Sequence, residues 1–344
     1  MRRRPPHRLV AVAVVMAGLA IAEAQSQQST STAQGQAHSS SQSGGQSGGQ
    51  SGLRSKTIHQ GELKLEPDPD AFKRPKRDLR LKDGDLVRGS INIAAAWFSE
   101  PTGRYRHFPF GTEQHPTAVT ISTTGKQVMR YRLPKDSVFE DRTPRLVDID
   151  GDGQEEIVTV RSYERSGAAL AVLGIRGNNL EVIAETPPIG TPFRWLNSIG
   201  FADFNGDGRN DIAIVVTPHI RGELQIWTLR DGKLELIGDA DDVSNHVFGS
   251  RHLKLSAIAD FNGDGRPDIV VPSQDRRRLR FLTFTRGNIE ELAEMRLPAP
   301  AAEDFEVVSV EGRPGVKIGI AGGRSLVVSP CRDIQDWEQA DGSC

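Results

Sequence analysis

The chain has 344 residues, of which 37% are hydrophobic and 26% charged, and its formal net charge is −2. So balanced a composition, with a pI near 6.5, excludes the strongly basic surface that a nucleic-acid or anionic-membrane partner calls for.

The amino terminus reads as an export signal. MRRRPPHR is a basic leader, Leu9 to Ala22 is apolar, and Ala22-Glu23-Ala24 forms an A-x-A site, so cleavage is expected after Ala24 with a periplasmic or secreted destination. An apolar core of about fourteen residues falls short of the roughly twenty that span a bilayer, so no stable membrane anchor is expected. No cysteine lies nearby to carry a lipid, and the Arg-Arg pair lacks a twin-arginine context. Losing residues 1–24 removes four Arg and one Glu, which moves the formal charge from −2 to −5.

Residues 25–56 are rich in Gln, Ser and Gly, including SQSGGQSGGQSG, and bury too little apolar surface to fold; a disordered linker is expected. Residues 57–85 mix charges, as in KRPKRDLRLKDGD. The basic cluster Lys73 to Lys82 could meet a polyanion, but Asp78, Asp83 and Asp85 point to a solvated linker.

From residue 86 to 335 the pattern changes to short strands. INIAAAWFS, TAVTIST and KQVMRYRLP, from Ile91 to Pro134, suit a first sheet. WFSEPTGRYRHFPFG holds the densest aromatic cluster, Trp97, Tyr105, Phe108 and Phe110. It reads first as packing and second as a patch for a sugar or peptide.

Three copies of one nine-residue pattern follow, each running into Ile: DIDGDGQEEI from Asp148, DFNGDGRNDI from Asp203 and DFNGDGRPDI from Asp260. Side-chain oxygens at positions 1, 3, 5 and 9, with the backbone carbonyl of position 7, make the oxygen-only ligand set that Ca²⁺ prefers. The sets are Asp148, Asp150, Asp152, Gln154 and Glu156; Asp203, Asn205, Asp207, Arg209 and Asp211; Asp260, Asn262, Asp264, Arg266 and Asp268. Gly153, Gly208 and Gly265 at position 6 allow the sharp turn around an ion. Absence of Cys and His from the loops argues against transition metals, and Mg²⁺ gives up its water shell too reluctantly to suit them. An EF-hand needs an acidic residue at position 12, where Thr159, Ile214 and Val271 stand instead. Metal-free Asp/Asn/Gly turns are the other reading of such a loop, but clustered carboxylates repel one another by roughly a few kcal/mol per close pair. About three calcium ions are therefore expected, which would bring the charge of the exported chain to about +1.

Each loop has an apolar stretch before it (Leu146 and Val147; Ile199 and Phe201; Leu255 and Ile258) and a β-branched run after it (Ile157 to Val160; Ile212 to Val216; Ile269 to Val271), so it joins two strands. A second strand pair follows in each unit, split by Gly177, Gly232 or Gly287, which lie 29, 29 and 27 residues beyond the first Asp. Those first Asp residues recur after 55 and then 57 residues. Four strands per repeat of that length predict an all-β fold, a β-propeller of about five four-stranded blades preceded by the signal peptide and disordered linker. Phe305 to Ser329 keeps the strand rhythm without the acidic ligands and looks one strand short, which Gly61 to Leu65 or Leu86 to Ile93 could supply.

The loops resemble those of the FG-GAP/VCBS repeat family, which includes bacterial extracytoplasmic proteins and the integrin α-subunit head propeller. The likeness is clear over residues 142–302 and weaker over 86–329. It implies Ca²⁺ bound by each loop between two adjacent strands of a blade. The family's Phe-Gly and Gly-Ala-Pro signatures do not occur here as a pair, only an isolated Phe248-Gly249, so integrin-like ligand recognition is not implied.

No catalytic constellation is visible. His107, His115, His219, His246 and His252 fall in predicted loops without a partner at a diagnostic spacing and read as surface or packing residues, with His246 and His252 retained for their nearness in sequence to the third loop. Arg276, Arg277 and Arg278 read as a solvated blade edge. Cys331 and Cys344 sit in the carboxy-terminal segment, which ends in a tail at 336–344, and suit one disulfide in an oxidising compartment, with two free thiols the alternative. The expected role is an exported calcium-binding propeller that acts as a binding or interaction module for a protein or glycan. The alternatives are an extracytoplasmic enzyme acting on a polysaccharide or other polymer, and a structural envelope component.

Overall fold

A computed structural model describes residues 79–329. The expected signal peptide, the Gln/Ser/Gly linker, Gly61 to Leu65, both cysteines and the tail lie outside the described residues. Every regular element between these limits is a strand, and the strands form five antiparallel sheets in chain order. The first holds β1 (Leu86–Val87), β2 (Ile93–Thr102), β3 (His115–Thr123) and β4 (Val128–Arg132). In the second, an inner edge split into β5 (Ser137–Phe139) and β6 (Arg145–Val147) pairs with β7 (Glu156–Tyr163), followed by β8 (Gly167–Arg176) and β9 (Asn179–Glu185). The third contains β10 (Leu196–Ala202), β11 (Asp211–Val216), β12 (Glu223–Arg230) and β13 (Lys233–Asp241). The fourth contains β14 (Ala257–Ala259), β15 (Asp268–Pro272), β16 (Arg278–Thr285) and β17 (Asn288–Arg296). The fifth has three strands, β18 (Ala301–Val310), β19 (Arg313–Ile320) and β20 (Arg324–Val328).

Packing identifies the sheets as propeller blades, because the apolar cores lie between successive sheets rather than within one. Phe98 and Ile121 of the first sheet meet Ile157 and Leu173 of the second. On the other face of the second sheet, Val158 and Leu170 meet Leu196 and Ile214 of the third. Ala213 and Ile226 then face Ile269 and Leu282, and Val270 and Phe281 face Val316 and Ile318. Alternate residues of one strand thus enter different cores, as Ile157/Val158 and Ala213/Ile214 do, which explains why these strands read as continuous apolar runs.

Two details differ from expectation. Leu86–Val87 pairs with β2 of the first blade, so the Leu86 to Ile93 stretch does not complete the fifth. The last residues of the expected solvated linker join the fold: Leu81 is 3% exposed in the first core, Arg80 bridges to Ser99, and Asp83 pairs with Arg142 at 3.1 Å. Two leucines among charges, Leu79 and Leu81, give too short a period to show this, while burial of Leu81 removes almost all its surface from water.

Candidate metal centres

In each of the middle three blades the connection from inner strand to second strand is the acidic loop, and its ninth residue opens the second strand. Glu156, Asp211 and Asp268 are therefore buried, at 1%, 0% and 0% exposure. The first carboxylate folds the loop over itself. Asp148 accepts from the Gly151 and Gly153 N–H groups at 2.8 and 3.0 Å, Asp203 from Gly206 and Gly208 at 2.7 and 2.8 Å, and Asp260 from Gly263 and Gly265 at 2.7 and 2.8 Å. Two glycines per loop are needed, since positions 4 and 6 both hold positive φ, 75° and 81° in the first loop; only position 6 was expected from the sequence.

Carboxylates converge most fully in the first loop, where oxygens of Asp148, Asp150 and Glu156 lie within 4.8 Å of one another. The fifth-position carboxylates Asp152, Asp207 and Asp264 accept the N–H of Gln154, Arg209 and Arg266 at 2.8, 3.0 and 2.8 Å. In the other two loops position 3 is an amide: Asn205 Nδ2 donates to Asp211 at 3.0 Å, and Asn262 Nδ2 to Asp264 at 3.3 Å. Burial, and then repulsion from Asp150, Asp152 and Asp148, pushes Glu156 up to about 7. Burial raises Asp211 and takes Asp268 up to about 6, and Asp268 Oδ1 is buried without a partner. These oxygen-only sets suit a hard divalent cation: charge on the buried carboxylates is disfavoured as they stand, and a cation among them would reverse that.

Position 8 carries a role that the motif alone does not reveal. The Glu155 carboxylate, 7% exposed, accepts the Ser90 and Ile91 N–H groups at 3.1 and 3.2 Å. Asn210 Nδ2 donates to the Asp148 carbonyl at 2.9 Å. Each ties its loop to the preceding blade, and the third loop has Pro267 there instead.

Histidines expected to be scattered converge on the opposite ends of the sheets. His107 Nδ1 lies 2.6 Å from Glu140, a fully buried carboxylate that also accepts from Ser162 Oγ. His219 Nε2 and His246 Nδ1 are 2.7 Å apart, and Trp195 stacks on His219 with centroids 5.7 Å apart. Tyr105 and Phe110 are buried among them, as the packing reading of the aromatic cluster expects, and His115 opens β3 rather than lying in a loop. Partners 33 and 27 residues apart in the chain leave no local spacing to recognise. Arg278 is engaged rather than loose, pairing with Asp242 and Glu294 at 2.6 Å each.

Residues 148–214, from the first acidic loop into β11, match the family model described as FG-GAP-like repeat. No curated protein matches the chain.

Proposed function

From the FG-GAP-like repeat it carries and the propeller built around that repeat, we propose that this protein is an exported, calcium-binding interaction module. The observation that carries the calcium part is the carboxylate convergence in the first loop, repeated in fold by the other two. Asp148, Asp150, Asp152 and Glu156 would hold the first ion, Asp203, Asn205, Asp207 and Asp211 the second, and Asp260, Asn262, Asp264 and Asp268 the third, with the carbonyls of Gln154, Arg209 and Arg266 at position 7. Bound Ca²⁺ supplies no chemistry beyond charge neutralisation. The chain's residues fix the loop, and the loop fixes the spacing of inner and second strands. The two parts of the reading fit each other, because sites as weak as about 10⁻⁴ to 10⁻³ M suffice for extracellular modules.

The test is a count of ions. After dialysis against EGTA, calorimetric titration of the chain lacking residues 1–24 should show three Ca²⁺ per molecule, and D148N, D203N and D260N should each remove one. A flat titration removes the metal reading. Amino-terminal sequencing of the exported protein should begin at Gln25. The enzymatic alternative has one observation in its favour, the carboxylate-oriented His107, and turnover of a polysaccharide lost in H107A would establish it.

A further inference from the structure

Antiparallel pairing puts the acidic loops at one end of the sheets and, at the other end, the loops from second to third strand together with the connections between blades. At that second end lies a pocket of about 220 Å³ lined by His107, Phe193, Arg194, Trp195, Thr217, His219, Ile220 and Phe248. These residues come from four different connections, so the pocket exists only in the assembled propeller.

Both histidines present a defined nitrogen. His246 Nε2 faces the Ser250 carbonyl at 3.1 Å and must donate to it, which leaves His246 Nδ1 as an acceptor. His219 therefore donates its Nε2–H to His246, and its own lone pair sits on Nδ1. Burial, and after it the neighbouring His246, pushes His219 down to about 3, so the ring stays neutral. His107 gives its Nδ1–H to buried Glu140, so the nitrogen left for a ligand is Nε2. Glu140 is itself held by the Trp195 Nε1–H, which donates to its carbonyl at 2.9 Å.

Beside these histidines stand two aromatic rings exposed to solvent, Phe193 at 43% and Phe248 at 57%. Phe248 packs against both histidines, with centroids 6.1 Å from His107 and 5.2 Å from His219. Phe193 and Thr217 hold φ of 57° and 47°, a conformation costly for a bulky or β-branched residue that collects where function needs it. Apolar rings beside imidazole nitrogens complement a ligand with an apolar face and a rim of hydroxyls, which both donate and accept. The volume lies below the roughly 300 Å³ at which drug-sized sites begin, which fits a single ring.

We infer that this pocket binds one pyranose residue of a glycan, its ring face on Phe193 and Phe248, one hydroxyl bonded to His107 Nε2 and another donating to His219 Nδ1. This inference rests on the interaction-module reading and names the ligand class of that module. An aromatic peptide side chain would use the rings but has no hydroxyl rim for the two nitrogens.

The experiment uses calcium-loaded protein with glucose, galactose, mannose and N-acetylglucosamine as probes, and a phenylalanine-containing peptide as comparator. Imidazole ¹⁵N resonances of His107 and His219 are followed. At least one sugar should shift both, and F248A, which removes an exposed ring and should leave the melting temperature in place, should weaken that sugar by roughly tenfold. Silence from all four sugars, or shifts with the peptide alone, overturns the inference. Calcium-dependent melting is recorded on the same samples, so failure here with calcium dependence retained leaves the calcium reading intact, and loss of calcium dependence counts against that reading only.

Discussion

Burial makes His219 and His246 a pH-sensitive pair. Burial, followed for His219 by the neighbouring His246, lowers them to about 3 and about 4, whereas an unfolded histidine titrates near 6.5. Their contribution to stability is complete above pH 6.5 and is lost as pH falls below it, because the unfolded chain then takes up protons that the folded chain refuses. With Ca²⁺ saturating, unfolding free energy should fall by up to about 1 kcal/mol per histidine for each pH unit below 6.5, less for the partly exposed His219. Urea midpoints between pH 7.5 and 5 measure this, and H246N should flatten the slope; equal slopes would show that the pair does not titrate on unfolding. The acidic loops could be read directly from the sequence because their residues sit at fixed offsets within nine positions. His107 and Glu140 could not, since only the folded blades bring them to 2.6 Å.

Strands were legible wherever a β-branched run adjoined a turn, as at Ile157 to Val160, but their irregularities were not. Third and fourth strands carry the same bulge in three blades, at Val172/Leu173, Ile226/Trp227 and Phe281/Leu282. The extra residues, Ile183, Ile237 and Leu292, all pack against an inter-blade core. An added residue sharpens the twist of an outer strand, yet an apolar residue in an apolar run gives no signal of it. The join between first and second blades is likewise silent in sequence. A Cβ at Gly89 would stand 2.2 Å from the Ile93 carbonyl and 2.4 Å from Glu155 Oε2, so only glycine lets the backbone approach the Glu155 carboxylate. G89A should cost about 2 kcal/mol by forcing the Ile93 carbonyl and that carboxylate away, and E155A about 1 kcal/mol by removing the acceptor of two N–H groups. Urea unfolding monitored by tryptophan fluorescence checks both, and changes under 0.5 kcal/mol would show that the link does not hold the blades together.

The three middle blades hide both faces against their neighbours, so the molecule depends on how firmly successive sheets are spaced. The acidic loops of those blades join inner to second strand, and Glu155 and Asn210 tie the first two of them to the preceding blade. In the fifth, a tight turn at Glu311 and Gly312, with φ of 50° and 82°, replaces the loop, and hairpin geometry does there without an ion what the acidic loops would do with one. Sequence rhythm revealed five units, but not that β1 belongs to the first of them, because a two-residue strand has no period to detect. Three ions at ten times Kd would add about 1.4 kcal/mol each, and for a propeller of this size about 4 kcal/mol corresponds to roughly 10 °C in melting temperature. Calorimetry in EGTA and in excess Ca²⁺ should show that difference at pH 8. It should narrow as pH is lowered to 6.5: without calcium, Glu156 titrates near 7 in the fold but near 4.3 when unfolded, so protonation relieves the buried charge and stabilises the metal-free chain. Calcium-loaded protein gains nothing from that proton. A gap between the two curves that stays constant from pH 8 to 6.5 would mean that Glu156 does not share the ion's site, and equal melting at every pH would mean that the loops hold their shape without one.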